Sequence, residues 1–312
     1  MPFRPTFECL WCGTAHICRG PDDIEGWAAL CSACVGKAGD NGFLRFRLRQ
    51  AITERGAATR DGLGEVGERR AAAVARPVEA AGLVAAASLD ATTVAYYEAR
   101  AAEYDDWYLR RGRYERGPIH DAAWNAELDA AGRWLDALPF SGEIVELAAG
   151  TGWWSPLIAS KGELSIYDAA EAPLDRARER LLAHRLRAHI HVRDAWAEPD
   201  RAVDAVFTGF WLSHVERDRL DAFLGLVGRW LKPGGLFAFI DSLPDPHSGA
   251  GDHEPPSNNR AVRRLDDGRE FEIVKVHHSP AELEAALRRS GFVSARVTIS
   301  GRFFVLGEAR VG

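Results

Sequence analysis

Apolar and polar positions from about Thr92 onward follow two alternating patterns. Short apolar runs bounded by glycine or polar residues predict buried strands, and apolar residues spaced three or four apart predict amphipathic helices. The predicted strands are Glu143–Ala148, Glu163–Tyr167, Ala188–Val192, Ala202–Thr208 and Leu236–Ile240. The predicted helices between them include Glu171–Ala183 and Arg217–Leu231. Strands that alternate with helices of this length indicate βαβ units and a mostly parallel α/β sheet.

The C-terminal part departs from that alternation. After a predicted helix over Ala281–Arg289, the segments Val293–Ser300 and Arg302–Leu306 predict a hairpin with a two-residue Ser-Gly turn. Such a hairpin would add an antiparallel strand to the sheet. Val262–Val276 predicts another hairpin, turned at Asp267-Gly268.

Composition divides the 312 residues into three parts. Residues 1–50 hold all five cysteines, residues 51–91 are rich in Ala, Gly, Arg and Glu and predict a linker, and residues 92–312 carry the α/β pattern. Apolar residues make up 46 % and charged residues 27 %, which allows a core of ordinary density. The net charge of −6 gives no general attraction to nucleic acid or to anionic membranes.

Neither a membrane-spanning apolar run nor the apolar stretch of a secretory signal is found in the sequence. We therefore expect no membrane association and a cytoplasmic location, where thiols stay reduced. Clustered cysteines in such a compartment hold metal more often than they form disulfides.

Two Cys-x-x-Cys pairs lie near the N-terminus. Cys9 and Cys12 form the first pair, Cys31 and Cys34 the second, with 18 residues between the pairs. Four thiolates favour tetrahedral Zn²⁺ and leave no open position for chemistry, so the spacing predicts a structural zinc module. The alternative is a set of reduced thiols or a redox pair. Cys18 has no evident partner.

A glycine-containing turn follows the first predicted strand. Gly150 and Gly152 allow a tight bend and close approach of a ligand to the main chain. Asp168 follows the second strand, where a carboxylate can accept hydrogen bonds from ribose hydroxyls, and Asp194 follows the third. Both aspartates could instead cap helices or turns. Ligands of open α/β sheets bind at these strand ends.

Five segments in this order resemble the successive motifs of class I S-adenosylmethionine (SAM)-dependent methyltransferases. They are VELAAGTG (145–152), IYDAA (166–170), RDAW (193–196), AVFTGFWLSH (205–214) and LKPGGLFAFID (231–241). The resemblance covers roughly Tyr96 to Glu308 and implies a Rossmann-like seven-stranded methyltransferase sheet with a terminal antiparallel strand.

The resemblance also implies a cofactor site. It places Glu146, Ala148, Gly150 and Gly152 around the methionine and ribose of SAM. Asp168 would hold the ribose hydroxyls, with Asp194 and the backbone of Ala195 near the adenine. Ala148 stands where the family commonly has glycine. NAD is the rival cofactor, but the turn has no third glycine in register, and bulky Trp153-Trp154 suits a pyrophosphate poorly.

Candidates for the methyl-transfer chemistry follow the fourth and fifth strands. His214 could remove a proton or orient the acceptor, and Asp241 is a second catalytic candidate. Phe210 and Trp211 could wall the methyl group, since a sulfonium is attracted to aromatic faces. Each of these residues could instead serve only packing or capping.

Tyr97, Arg100 and Tyr104 belong to a helical segment that resembles the cofactor lid of small-molecule methyltransferases. Ordinary packing of an amphipathic helix is the alternative. The segment Leu243–Arg260, rich in Pro, Gly, His and Asn, is expected to shape the acceptor pocket.

These observations favour methyl transfer to an oxygen, nitrogen or activated carbon of a small molecule. The Asn/Asp-Pro-Pro-aromatic signature of amino-nitrogen methylation is absent, and residues 92–312 contain no cysteine nucleophile. The alternatives are an RNA or protein methyltransferase recruited through the zinc module, and a non-catalytic protein that binds the cofactor or a partner. The acceptor and the oligomeric state do not follow from the sequence.

Overall fold

The computed structural model describes residues 3–18, 20, 22–37, 44, 47–48, 51–52, 55 and 91–312. The chain divides into two compact units, Met1–Val78 and Glu79–Gly312. Nearly all of the predicted linker, 51–91, lies outside the described residues. The boundaries 1–50, 51–91 and 92–312 therefore remain predictions.

The described residues between positions 3 and 37 of the small unit include a short hairpin and short helices. Strands β1 (Thr6–Glu8) and β2 (Ala15–Ile17) pair antiparallel, and helices α1 (Ile24–Ala28) and α2 (Ser32–Gly36) follow. Phe7 and several buried alanine and leucine side chains pack around the cysteines. So small a core buries little apolar surface.

The large unit is built on a seven-stranded sheet. Its helices are α3 (Ala91–Arg100), α4 (Tyr104–Leu109), α5 (Pro118–Ala137), α6 (Ser155–Ala159), α7 (Glu171–Ala183), α8 (Leu220–Trp230) and α9 (Pro280–Arg289). Its strands are β3 (Glu143–Leu147), β4 (Glu163–Asp168), β5 (His189–Val192), β6 (Val203–Gly209), β7 (Leu231–Ser242), β8 (Arg260–Arg264), β9 (Glu270–Val274), β10 (Phe292–Ile299) and β11 (Phe304–Val311).

The sheet order is β10-β11-β7-β6-β3-β4-β5. Neighbouring strands from β7 to β5 are parallel, whereas β11 runs antiparallel to both of its neighbours. This confirms the predicted Rossmann-like sheet with a reversed terminal strand. Alternate residues of β6 and β7 enter different core clusters, one containing Phe237 and Phe239, the other Phe207 and Ile240. Both faces of these central strands are therefore buried, as parallel strands require.

The C-terminal hairpin differs from the prediction in its turn. Four residues separate β10 from β11, and Ile299 pairs with Val305, so a two-residue Ser-Gly turn was wrong. Glu127 on α5 explains the longer loop. Its carboxylate accepts hydrogen bonds from the Ser300 hydroxyl at 2.6 Å and from the Phe303 N–H at 2.9 Å. Partly buried hydrogen bonds to α5 thus override the local sequence signal for a two-residue turn.

The predicted hairpin around Asp267-Gly268 is confirmed as β8 and β9, which form a separate two-stranded sheet. Apolar side chains of this hairpin, Ala261, Leu265 and Ile273, pack against Tyr96 of α3. This contact holds the hairpin against α3. Among the described residues, no helix is long and apolar enough to cross a membrane.

Candidate cofactor and acceptor site

The turn after β3 uses left-handed backbone at three positions. The φ angles are 52° at Ala148, 56° at Gly150 and 69° at Gly152. Glycine adopts this region freely, whereas an L side chain costs roughly 1–2 kcal/mol there. Ala148, the residue at which the family commonly has glycine, is therefore strained.

The two glycines of the turn have different surroundings. A Cβ at Gly152 would lie 2.7 Å from the Ala177 Cβ of α7, so this glycine allows α7 to pack closely. A Cβ at Gly150 would meet nothing closer than the Tyr104 ring at 3.8 Å. Gly150 therefore faces open space, and Gly152 faces a helix.

Asp168 stands at the end of β4 and stabilises the same turn. Its Oδ2 accepts from the Gly150 N–H and its Oδ1 from the Ala170 N–H, both at 2.9 Å. Burial raises the pKa of this carboxyl to about 6, against the lowering effect of the two N–H donors. Each oxygen keeps a further lone pair, so the carboxylate can still accept from a ligand.

A narrow cavity opens at these strand ends. Its wall brings together nine of the residues predicted to form the site. These are Ala148, Gly150, Asp168, Ala195, Phe210, Trp211, Tyr97, Tyr104 and His214. Strand ends β3, β4 and β6 provide one side, and α3 with α4 provides the other.

Glu146, Gly152 and Asp194 were also predicted to form the site but do not line this cavity. Burial raises the pKa of Glu146 to about 8, and its carboxyl accepts from the Ser155 hydroxyl at 2.6 Å. Asp194 accepts from the Trp196 N–H at 2.9 Å, which shapes the turn that carries Ala195. Because none of the three lines the cavity, their predicted ligand contacts remain predictions.

A larger cavity of about 620 Å³ adjoins the first. Helices α3 and α4, the segment 244–256 and the β8–β9 hairpin form its walls. Trp107 of α4 donates to the Ser248 carbonyl at 2.8 Å, and Arg110 donates to the same oxygen at 3.1 Å. The segment after β7 is thus fixed to the helical side and lines the cavity. Its predicted role in shaping an acceptor pocket remains a prediction.

Four side chains line both cavities, namely Tyr97, Tyr104, Phe210 and His214. They mark the junction between the two spaces. Phe210 has a φ of 59°, an unfavourable conformation for a bulky residue, and its N–H donates to the Ile240 carbonyl at 2.7 Å. Such strain is commonly stored at functional sites.

His214 and Tyr97 are hydrogen bonded at this junction. His214 Nδ1 lies 2.7 Å from the Val274 carbonyl, which can only accept, so Nδ1 carries the proton. Nε2 is then free to accept from the Tyr97 hydroxyl, also at 2.7 Å. Burial holds the pKa of His214 well below its usual value, with a further contribution from Lys275, so the imidazole is neutral.

Comparisons with known proteins identify the family of this chain. A methyltransferase domain family matches residues 144–235, the segment that forms the strand ends described above. A solved structure titled as a complex of DhpI with SAH is 32 % identical; the match covers 71 % of this chain and 96 % of that one, with a TM-score of 0.55. The chain belongs to the SAM-dependent methyltransferases.

A second structure of the same relative, titled as a complex of DhpI with SAM and HEP, matches equally well. It is 32 % identical over 70 % of this chain and 96 % of that one, with a TM-score of 0.55. Curated protein sequences gave no significant match. The methyltransferase fold and the SAM cofactor inferred from the sequence are thus confirmed.

The second catalytic candidate of this methyltransferase, Asp241, lies outside the walls of both cavities. Its carboxylate accepts from the Ser213 N–H at 2.9 Å and from its neighbour Ser242 at 2.6 Å. These bonds position the short 3₁₀ turn Leu212–His214. Its placement fits a positioning residue, and a catalytic role stays an untested prediction.

Sequence reasoning missed several residues of the larger cavity, chiefly cations. Arg116, Arg263 and Lys275 line it together with Arg100, which lies on this cavity and not on the narrow one. Arg263 and Lys275 flank the predicted hairpin, but nothing in the sequence indicates which residues that hairpin faces. The segment Val262–Val276 holds as many acidic as basic residues, so its composition gave no signal either.

The four predicted metal ligands come together in the small unit. The sulfur atoms of Cys9, Cys12, Cys31 and Cys34 all lie within 4.8 Å of one another, and those of Cys12 and Cys31 are 3.7 Å apart. Tetrahedral zinc with bonds of about 2.3 Å requires sulfurs about 3.8 Å apart. The Cys31 N–H also donates to the Cys9 sulfur at 3.3 Å, which suits a thiolate.

Proposed function

We propose that this methyltransferase transfers the methyl group of SAM to a small-molecule acceptor bound in the larger cavity. The observation that carries the proposal is the junction of the two cavities at Tyr97, Tyr104, Phe210 and His214. A cofactor in the narrow cavity and an acceptor in the larger one would meet there. A partly open cavity of about 620 Å³ suits a small molecule.

The narrow cavity fits the cofactor chemically. Asp168 offers carboxylate oxygens to the ribose hydroxyls, and the open space beside Gly150 lets a ligand approach the main chain. Aromatic rings at the junction attract a positively charged sulfonium. When bound, SAM supplies an electrophilic methyl group on a good leaving group.

Tyr97 and His214 are arranged to receive the proton of the acceptor. The Tyr97 hydroxyl donates to His214, so its own oxygen lone pairs are available to an acceptor O–H or N–H. As the acceptor atom bonds to the methyl carbon, its proton passes to Tyr97, whose proton passes to His214 Nε2. The carbon–sulfur pair stays on sulfur, and the Val274 carbonyl holds the Nδ1 proton. Burial raises the pKa of Tyr97 far above its usual value, which keeps this hydroxyl protonated at rest.

Calorimetric titration with S-adenosylhomocysteine tests the cofactor site. We expect Asp168→Ala to weaken binding by about 1–3 kcal/mol, the loss expected for hydrogen bonds to a charged group. Asp218→Ala, which removes an exposed carboxylate from the 3₁₀ turn Arg217–Arg219, should bind like the unaltered protein. A folded protein that fails to bind this ligand would overturn the proposal.

We also propose that the four cysteines bind one structural Zn²⁺. Three of the ligands are buried and only Cys12 is exposed, so the ion would be largely shielded from water. All four positions of a tetrahedral ion would be filled, which excludes substrate from the metal. Because the small unit has a limited core, metal binding would contribute much of its folding free energy.

Metal analysis of the purified chain tests this second proposal. We expect about one equivalent of zinc, lost in Cys31→Ser, since a four-thiolate site needs every ligand. Cys18→Ser is the matched control because Cys18 is buried but lies outside the four-sulfur group. Metal-free protein whose thiols all react without denaturant would contradict the zinc site.

A further inference from the structure

We propose that the methyl acceptor carries an anionic oxygen group, a carboxylate or a phosphoryl group, which Arg100, Arg263 and Lys275 bind in the larger cavity. This inference rests on the proposed function, because it identifies the chemistry of the acceptor in the same site.

Arg100 is the most deeply buried of the three cations, with 8 % of its surface exposed. Its recorded contacts are aromatic. The guanidinium lies 4.5 Å from the ring centre of Tyr104, and one of its nitrogens donates to the Tyr114 hydroxyl at 3.1 Å. Its Nε is buried without a hydrogen-bond partner. Within residues 91–312 no carboxylate is in ion-pair contact with it.

Lys275 and Arg263 face the same space from the hairpin side. The Lys275 ammonium donates to the Ser213 hydroxyl at 2.8 Å, and burial lowers its pKa to about 8. Burial also lowers the pKa of Arg263, whose recorded hydrogen bond goes to the neighbouring Val262 carbonyl. Neither cation forms an ion pair with a carboxylate of the described residues.

The acidic residues around the cavity offset these charges only in part. The Asp241 carboxylate favours the charged form of Lys275, but it does not line the cavity, and both of its oxygens already accept from backbone N–H groups. Asp245 lines the wall and is paired with Arg302 at 3.0 Å, and Glu254 is exposed at the edge. The cavity interior therefore has an excess of positive charge.

Buried charges without partners are costly, and proteins normally pair them or use them to bind ligands of opposite charge. An oxygen anion in this cavity would supply the missing partner through charge-assisted hydrogen bonds. Anchoring the acceptor by its anion would also fix the distance of its nucleophilic atom from the junction at Tyr97 and His214.

Calorimetry on the full chain saturated with S-adenosylhomocysteine tests the inference at low ionic strength. The probes are inorganic phosphate, benzoate and benzamide, the last matching benzoate in shape without its charge. We expect both anions to bind and benzamide to bind at least about tenfold more weakly than benzoate, the loss expected when a charged hydrogen bond is removed. Equal binding of benzoate and benzamide, or no binding of either anion, would overturn the inference.

Substitution of single cations shows where the anion binds. Arg263→Gln and Lys275→Gln should each weaken phosphate binding about tenfold, whereas Arg296→Gln, which removes an exposed cation from β10, should change it less than about twofold. Arg100 is left intact because its packing against three rings could be needed for folding. Unchanged phosphate binding in both cavity variants would overturn the assignment.

The cofactor measurement separates the two proposals. If Arg263→Gln weakens S-adenosylhomocysteine binding as much as phosphate binding, the cations serve the cofactor and the inference is wrong. If phosphate fails to bind while S-adenosylhomocysteine binds, the anion inference fails and the methyltransferase proposal stands. If S-adenosylhomocysteine fails to bind while phosphate binds to the cavity, the proposed function fails and the anion site stands.

Discussion

The two cavities that meet at Tyr97 and His214 are built in different ways. The narrow one is formed by turns at the ends of adjacent parallel strands, with the carboxylate of Asp168 as its main polar group. The larger one is enclosed by two helices, a loop and a hairpin, and its interior charges are cationic. The ends of the sheet strands thus form the narrow cavity, and segments attached to the sheet form the larger cavity.

This difference separates two tasks. The strand-end cavity offers an acceptor of hydrogen bonds to a ligand with hydroxyls and positive charge. The larger cavity offers donors and positive charge to a ligand of opposite character. Opposite electrostatic fields on the two sides of one junction would orient cofactor and acceptor relative to each other. Substitutions at one cavity can therefore be tested with the other cavity as the reference.

The largest effect is expected at the junction itself. Tyr97→Phe should lower kcat by about 10²–10⁴, the usual contribution of a positioned acid–base group, and His214→Gln should do the same. Rates would be followed as S-adenosylhomocysteine release with an anionic acceptor that binds the larger cavity. Binding of S-adenosylhomocysteine should change little in Tyr97→Phe. A rate within about threefold of the unaltered enzyme would show that transfer needs no base at this position.

The strand-end side was largely predictable from sequence, and the larger cavity was not. Gly150 and Asp168 follow strands whose apolar patterns fix where they end, so their meeting follows from parallel pairing. Ala148 and Ala195 were expected only from the resemblance to the methyltransferase family. By contrast, Arg100 and Lys275 are 175 positions apart and meet only through packing of α3 on the hairpin. Local patterns carry no information on such a contact.

The next effect is on stability and distinguishes Gly150 from Gly152, the two glycines of the turn after β3. Gly150→Ala should lower the free energy of unfolding by about 0.5–1 kcal/mol, because a strain of about 1–2 kcal/mol is offset by about 0.4–1 kcal/mol from the reduced freedom of the unfolded chain. Gly152→Ala should lower it by about 1.5–4 kcal/mol, because a clash with Ala177 adds about 1–3 kcal/mol to the same net strain. Denaturant unfolding of both variants measures the difference. Equal losses would mean that α7 moves to accommodate the methyl group.

A smaller effect should appear in the pH dependence of cofactor binding. Only ionised Asp168 accepts from both ribose hydroxyls, and burial raises the pKa of this carboxyl to about 6. Affinity for S-adenosylhomocysteine should thus be nearly full at pH 7 and above, and it should fall by about tenfold between pH 7 and pH 5 as the group is protonated. Calorimetry across this range should show a nearly flat profile for Asp168→Asn. A fall of the same size in that variant would assign the titration to another group.

The smallest effect concerns the strained alanine of the same turn. Ala148→Gly should remove a strain of about 1–2 kcal/mol and lose about 0.4–1 kcal/mol through the greater freedom of the unfolded chain, so a net stabilisation of about 0.5–1 kcal/mol is expected. Ala149→Gly is the matched control, because Ala149 is adjacent and has no positive φ. Ala149→Gly should lower stability, since it removes packing contacts and increases the conformational entropy of the unfolded chain without relieving strain. Destabilisation of both variants in thermal unfolding would mean that contacts of the Ala148 methyl group, at the wall of the cofactor cavity, outweigh the strain of its backbone.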